Sequence, residues 1–318
     1  MVALTTQAKR EVDPDFILSS QVAQALSVIG DRWAFLIIRD VYLGARRFED
    51  LRQRTEAARG TLTSRLKSLV AAGILYKEPY QQSPTRYEYR LTEKGLDLYP
   101  MVLMIWSWDH HWGKRTYLPH NLVHEACGKE MVPVFRCTEC KVKILPQDVR
   151  FKAGRNFKSA DKVPPRYQRR FKSAREKSGK MNKDDVTALD CFGDRWTSLV
   201  LAAGFFGLQR FGDIASAIGI ATNILSDRLR LLVRTGILDR VPYRERPVRY
   251  EYHLSEKGRA LYPQTVALHE WANRWLIEPG AEPLLLKHLP CGNSLQGEVV
   301  CSECEQPLDA HHVRFHGS

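Results

Sequence analysis

The chain has 318 residues, 44% hydrophobic and 26% charged, an ordinary globular mixture at a length that favours two or more domains. No run of about 18 apolar residues occurs and the opening MVALTTQAKREVDPDF has no apolar signal core, so membrane insertion and secretion are disfavoured and the cytoplasm is the expected location. The net charge of +12 is concentrated: residues 150–183 hold 13 Lys/Arg against Asp161 and Glu176, which leaves about +1 for everything else.

Residues 1–19 read as a polar lead-in. Val22, Ala25, Leu26 and Ile29 then fall at helical spacing, and Asp31 is placed to cap a second helix from Arg32 to Leu43 that ends at Gly44. That helix is apolar on most sides and is expected to be a core element, with Trp33 contributing buried area. Phe48 and Leu51 mark a short helix, followed by a turn near 55–60. Leu62, Leu66, Leu69 and Val70 form the stripe of the next helix, which stops at Gly73 and leaves Thr61, Ser64, Arg65 and Lys67 on other faces. Ile74 to Tyr80 and Arg86 to Thr92 read as the strands of a hairpin, joined by the polar turn 81–85. Thr92 can cap a final helix, kinked or restarted at Pro100, that carries Trp106, Trp108 and Trp112. A helix this aromatic is expected to pack against another copy.

The whole pattern returns 163 residues later, without a gap from Gly30 to Trp112. Arg65-Leu66 matches Arg228-Leu229, Gly73-Ile74-Leu75 matches Gly236-Ile237-Leu238, and Arg86-Tyr87-Glu88-Tyr89 matches Arg249-Tyr250-Glu251-Tyr252. Trp196 repeats Trp33, and Cys191 takes the place of Val28 as a buried apolar residue. A repeat this long means two whole domains rather than a solenoid. In each, a polar-faced helix before a basic hairpin is the layout of a winged helix-turn-helix, with the helix in the major groove and the wing on the DNA backbone. The expected fold is α+β, mainly α. Candidate DNA contacts are Arg59, Thr61, Thr63, Ser64, Arg65, Lys67 and the wing residue Arg86 in the first copy. In the second they are Thr222, Asn223, Ser226, Asp227, Arg228, Arg230 and Arg249.

Each copy is followed by a cysteine cluster. His124-x2-Cys127-x9-Cys137-x2-Cys140 recurs as His288-x2-Cys291-x9-Cys301-x2-Cys304. Three thiolates and an imidazole suit a closed tetrahedral Zn²⁺ site, so two structural zinc ions are expected, one within each cluster. His120 is an alternative fourth ligand, but its counterpart is Leu284; Asp148 and His312 are a further equivalent pair. The expected layout is a lead-in at 1–19, winged helices at 20–119 and 183–283, zinc-binding extensions at 120–151 and 284–318, and a basic linker at 152–182. Within the linker, Arg166, Arg169, Arg170, Lys172 and Arg175 could add phosphate contacts.

The motifs A-L-x-x-I-G-D-R-W, G-x-x-R-F, L-[ST]-x-R-L-[KR]-x-L-V-x-x-G-I-L and P-x-R-Y-E-Y-x-L-[ST]-E-K-G occur twice. They resemble the HxlR-type winged helix-turn-helix regulators over about two thirds of the chain. The resemblance implies bacterial transcription factors that bind double-stranded DNA and pair through their first and last helices, here with both partners fused in one chain. It departs from the family at Ser20 and Lys183, where many members have a redox-sensing cysteine. At the recognition helix, Ala58 and Gly60, and Ala221 and Asn223, replace the usual Ser and Lys. No nucleophile–base arrangement or phosphate-cradling glycine loop points to an enzyme. The competing reading is a zinc-braced protein-interaction adaptor that has lost DNA binding; any small-molecule effector is unspecified.

Overall fold

The computed structural model describes residues 15–113, 121–155, 157, 187–310 and 312–316. Arg166, Arg169, Arg170, Lys172 and Arg175, together with His120 and Lys183, lie outside the described residues. Among those described, no helix is long and apolar enough to cross a membrane.

The first copy runs α1 (Asp15–Ser19), α2 (Gln21–Ile29), α3 (Arg32–Tyr42), α4 (Phe48–Thr55), α5 (Arg59–Ala71), β1 (Leu75–Gln82), β2 (Thr85–Leu91), α6 (Glu93–Leu96) and α7 (Tyr99–Trp112). Its extension adds β3 (Asn121–His124), β4 (Glu130–Met131), β5 (Pro133–Cys137) and β6 (Val149–Ala153). The second copy repeats the order as α8 (Ala188–Phe192), α9 (Arg195–Phe205), α10 (Phe211–Ile218), α11 (Thr222–Arg234), β7 (Leu238–Glu245), β8 (Val248–Leu254), α12 (Glu256–Arg259) and α13 (Tyr262–Leu276). Its extension holds β9 (Leu284–His288), β10 (Gly297–Cys301) and β11 (Val313–His316).

The local rules account for most of these boundaries. Asp31 caps α3 by accepting from the backbone of Trp33 and Ala34, and Asp194 does the same for α9 through Thr197. The final helix restarts rather than kinks: α6 ends, and α7 begins with Pro100 in its first turn, where the missing N–H costs nothing. Gly95 and Gly258 are required at their positions, because a Cβ there would collide with the carbonyl oxygen of Ile74 or Ile237. The lead-in departs from expectation. Its last residues form α1, with Ile17 wholly buried and Phe16 against Phe151 and Phe157 at ring-centroid distances of 6.0 and 4.7 Å. Five residues are too short for periodicity to declare a helix, which is stabilised here by long-range contact.

The copies are packed into one another. α2 and α7 both lie against α13, and α7 also meets α8. The loops that precede α3 and α9 touch, with a β-bridge between Asp31 and Asp194. Trp106 and Trp108 are buried in the shared layer, as is Trp271.

The extensions exchange strands. β5 pairs antiparallel with β10, β6 with β9, and β11 with β3, so each extension completes the other's sheets. This revises the linker boundary at 152, because Lys152 and Ala153 belong to β6 and pair with Leu285 and Leu284.

Candidate nucleic-acid interface and metal-ligand clusters

The two hairpins are built alike. β1 and β2 pair from Leu75↔Leu91 to Gln82↔Thr85, with a shift at Tyr80; β7 and β8 pair from Leu238↔Leu254 to Glu245↔Val248, with the shift at Tyr243. The guanidiniums of Arg47 and Arg210 sit over these two tyrosine rings, at 4.6 and 4.5 Å. The same arginines pair with Glu88 and Glu251 at 3.5 and 3.0 Å. Backbone bonds from Tyr89 to the Arg46 carbonyl and from Tyr252 to the Gln209 carbonyl, both 2.8 Å, complete the attachment. Each wing is thus fixed to the start of α4 or α10, a role of Arg47 and Arg210 that sequence reasoning missed. Their recurrence beside Phe in both copies was the available signal.

On the helices that follow, Arg59, Thr63, Ser64 and Lys67 are exposed, as are Thr222, Asn223 and Arg230, while Thr61 and Ser226 are partly covered. Arg86 and Arg249 stand exposed on the wings. The hydroxyls of Thr63 and Ser226 donate back to the carbonyls of Arg59 and Thr222, at 2.9 and 2.8 Å. Arg59 is 77% exposed on its side chain and reaches Glu49 at 3.4 Å, a contact that solvent screens.

Two of the candidate contacts are engaged within the protein. Arg228 is buried rather than offered to solvent: Nε donates to Asp194 Oδ2 and Nη1 to Asp227 Oδ2, each at 2.6 Å. Asp227 is therefore also engaged. The equivalent Arg65 makes a looser pair with Asp31 at 3.2 Å. The shared arginine ties the recognition helix to the N-cap of the central helix in its own copy. A charge this buried needs a carboxylate partner, which Asp194 supplies.

The eight Cys and His residues expected to bind metal do come together in two groups of four, but their grouping is corrected. One cluster joins His124 and Cys127 with Cys301 and Cys304; the other joins Cys137 and Cys140 with His288 and Cys291. Within each, all ligand atoms lie within 4.8 Å of one another. The reason lies in the strands. After the β3–β4 hairpin the chain leaves at Val132 and runs extended as β5 along the other copy's β10. At about 3.3 Å per residue, that carries Cys137 roughly 20 Å from Met131, and β10 brings Cys301 back the opposite way. Every ligand pair lies on a tight turn with a left-handed residue, at Gly128, Lys141, Gly292 and Glu305.

The geometry suits a tetrahedral ion. His124 Nδ1 lies 3.2 Å from Cys304 Sγ and 3.6 Å from Cys127 Sγ, and Cys127 Sγ is 4.0 Å from Cys301 Sγ. In the other cluster, His288 Nδ1 is 3.3 Å from Cys140 Sγ and 3.5 Å from Cys291 Sγ. Zinc bonds of about 2.1 Å to nitrogen and 2.3 Å to sulfur imply tetrahedral edges of about 3.6–3.8 Å. Backbone N–H groups also face the sulfurs: that of Glu303 lies 3.4 Å from Cys301 Sγ, and that of Lys129 pulls the Cys127 thiol down from its usual range. Asp148 and His312 stand outside both clusters, with His312 paired to Asp309 at 2.6 Å. Cys191 is buried as expected, which raises its thiol pKa well above the ordinary value.

Comparison with known proteins follows the same repeat. The HTH-type transcriptional regulator Rv3095 of Mycobacterium tuberculosis is 42% identical over 126 residues, 40% of this chain and 80% of that protein. YvaP of Bacillus subtilis, also named an HTH-type transcriptional regulator, is 37% identical over 90 residues, 28% of this chain and 83% of that protein. Among solved structures, PA1607, described as a putative transcription factor, is 35% identical, covering 38% of this chain and 76% of that chain at a TM-score of 0.27. The HxlR-like helix-turn-helix pattern matches residues 28–117 and again 191–279, and with both segments together spanning more than half its length the chain belongs to the HxlR-like helix-turn-helix family.

Proposed function

We propose that the protein is a cytoplasmic transcriptional regulator that binds double-stranded DNA with both winged helices of one chain, an intramolecular pseudo-dimer. The observation that carries this reading is the reciprocal packing of each copy's last helix against the other copy, in which Trp108 of α7 donates to the Lys257 carbonyl of α12 at 3.0 Å and Trp271 of α13 to the Lys94 carbonyl of α6 at 2.9 Å. Interlocked this way, two copies leave α5 and α11 with exposed polar faces and two exposed basic wings. The mycobacterial relative matches over 126 residues that make up 80% of its length, which leaves room there for one copy only.

Exposed Arg59, Thr63, Ser64 and Lys67 in one copy, and Thr222, Asn223 and Arg230 in the other, are the side chains for base edges and nearby phosphates. Arg86 and Arg249 serve the backbone from the wings. The basic segment at 150–183 adds affinity through counterion release without choosing sequence. The crossed Cys3His clusters hold two structural Zn²⁺ ions, which have no open position for substrate and brace the two halves against each other.

Selection of bound sites from random duplex DNA tests this reading. Enrichment of a two-part site by the intact chain is expected; no enrichment would favour the protein-interaction adaptor.

A further inference from the structure

Outside the two wings, the large apolar side chains that stand exposed among the described residues are Val142, Leu145, Leu285 and Leu289, between 37% and 46% accessible. They lie around the cluster formed by Cys137, Cys140, His288 and Cys291. Leu289 follows His288, and Val142 is two residues beyond Cys140. The backbone N–H of Leu289 donates to the Asp148 carbonyl at 2.7 Å, and that of Asp148 to the Leu145 carbonyl at 3.0 Å, so both leucines flank one turn. Leu285 and Lys287 alternate with buried Leu284 and His288, which puts them on the outward face of β9.

The other cluster supplies a comparison within the molecule. Counted by the repeat that carries His124 onto His288, the positions equivalent to Val142, Leu145, Leu285 and Leu289 hold Gln306, Asp309, Asn121 and Glu125. Their polar groups are matched locally: Asn121 donates to Glu130 at 2.9 Å, Arg314 pairs with Glu125 at 3.0 Å and His312 with Asp309 at 2.6 Å. The same strands and turns thus form with polar residues at all four places, so the fold does not require the apolar set. Single exposed leucines are ordinary, whereas a group of them rimmed by polar residues marks a docking surface. Here the rim is basic. Arg150 and Lys287 stand opposite each other in the β6–β9 register, and Lys152 stands opposite Leu285. These three and Lys143 are exposed and make no ion pair among the described residues; the neighbouring acid is Asp148. Like charges directly opposite one another destabilise a strand pair. At the counterpart of that pair, Val123 replaces Lys287 and Glu125 neutralises Arg314.

We propose that this face docks an acidic segment of a partner protein, whose apolar side chains cover the three leucines and Val142 while its carboxylates meet Arg150, Lys152 and Lys287. An apolar centre inside a charged rim is the make-up of a protein interface, and the sign of the rim selects the partner. Nucleic acid would use the cations and leave the leucines against water. A second copy applied through the same face would set Arg150 and Lys287 against their own kind. The chain's own segment at 150–183 is basic and carries the same sign as the rim. Docking here goes beyond the DNA-binding reading and does not depend on it.

The test is selection of random phage-displayed peptides on the full-length protein, after depletion on a variant carrying Leu145→Asn and Leu289→Gln. These are uncharged relatives of Asp309 and Glu125 at the counterpart positions, so the variant should keep the wild-type melting temperature. Leu285→Asn, which copies Asn121, serves in its place if the double variant does not fold. Selected peptides are expected to combine Asp or Glu with Leu, Ile or Phe, and to bind the wild type at least about tenfold more tightly than either leucine variant. Lys287→Gln should weaken them as well. No enrichment, peptides without carboxylates, or equal binding to wild type and leucine variants overturns the proposal. Sensitivity to Lys287→Gln without sensitivity to the leucine variants also overturns it and assigns the face to a polyanion such as nucleic acid. A concentration-dependent dimer of the wild type in sedimentation, abolished by the leucine substitutions, overturns it in favour of a second copy.

Discussion

The indole N–H of Trp108 donates to the backbone carbonyl of Lys257, and the N–H of Trp271, the same position in the other copy, donates to that of Lys94. The ammonium groups of Lys257 and Lys94 also lie over those indoles, 5.4 and 5.6 Å from the ring centroids. The short helix that follows each wing is therefore locked to the partner copy's last helix. Trp108→Phe and Trp271→Phe are each expected to lower unfolding stability by about 1–3 kcal/mol, the cost of leaving a buried carbonyl unpaired. Urea titration of each variant checks this.

Arg228 and Arg65 occupy one position in the repeat but differ in burial. The Arg228–Asp194 pair is 7% and 4% exposed at 2.6 Å, whereas the Arg65–Asp31 pair is 30% and 16% exposed at 3.2 Å. Breaking a buried pair strands a charge, so Arg228→Ala should cost about 3–5 kcal/mol. Arg65→Ala should cost about 1 kcal/mol or less, as for pairs nearer solvent. Thermal melts of both variants compare the two copies directly; equal losses would contradict this account.

Elements set by local chemistry were legible in the sequence: the Asp31 cap, the stop at Gly73, the alternation from Tyr87 to Leu91 and the duplication itself. What was not legible depends on which partner a segment finds. The spacing of His124, Cys127, Cys137 and Cys140 is the same whether a cluster closes locally or across copies; only the pairing of β5 with β10 distinguishes them. Likewise Arg228 reads as a surface residue on a recognition helix until Asp194 is brought beneath it by the packing of α9 against α11. Helix α1 is too short to announce itself.

The crossed clusters make a prediction that local clusters reverse. Cys127→Ser with Cys304→Ser removes two ligands from one site, so one zinc ion per chain should remain. Cys127→Ser with Cys140→Ser damages both sites and should leave none. Elemental analysis of the two double variants reads the difference. Chelation of the wild type should lower its melting temperature, because binding to the folded state is coupled to stability.

Asp109 is 3% exposed and accepts from the backbone N–H of Ala188 at 2.7 Å, across the contact between α7 and α8. Burial raises its pKa from 3.8 to about 7. Between these values the folded protein holds a proton that the unfolded chain has released, so this residue's contribution to stability falls as pH rises from about 4 to 7. Asp109→Asn keeps the acceptor and removes the charge. Its stability relative to wild type should therefore rise over that window, measured by denaturant titration at pH 4.5 and pH 8; a constant difference would count against the assigned cause.

The preferred DNA site should be asymmetric, because the exposed starts of the two recognition helices differ while their apolar stripes agree. Arg59, Gly60, Thr61 and Ser64 in α5 stand opposite Thr222, Asn223, Ile224 and Asp227 in α11. Asp227 is bound to Arg228 at 2.6 Å, so the distinction falls mainly on exposed Asn223. An asparagine amide can pair with adenine N6 and N7 in the major groove, a contact worth about 1–3 kcal/mol against the wrong base; glycine cannot. Two identical chains favour a palindrome by symmetry, and a fused pair is released from that constraint. In site selection, Asn223→Gly should relax one half-site and leave the other unchanged. A perfect inverted repeat, with both halves equally sensitive to Asn223→Gly, would show that the second helix does not read its own sequence.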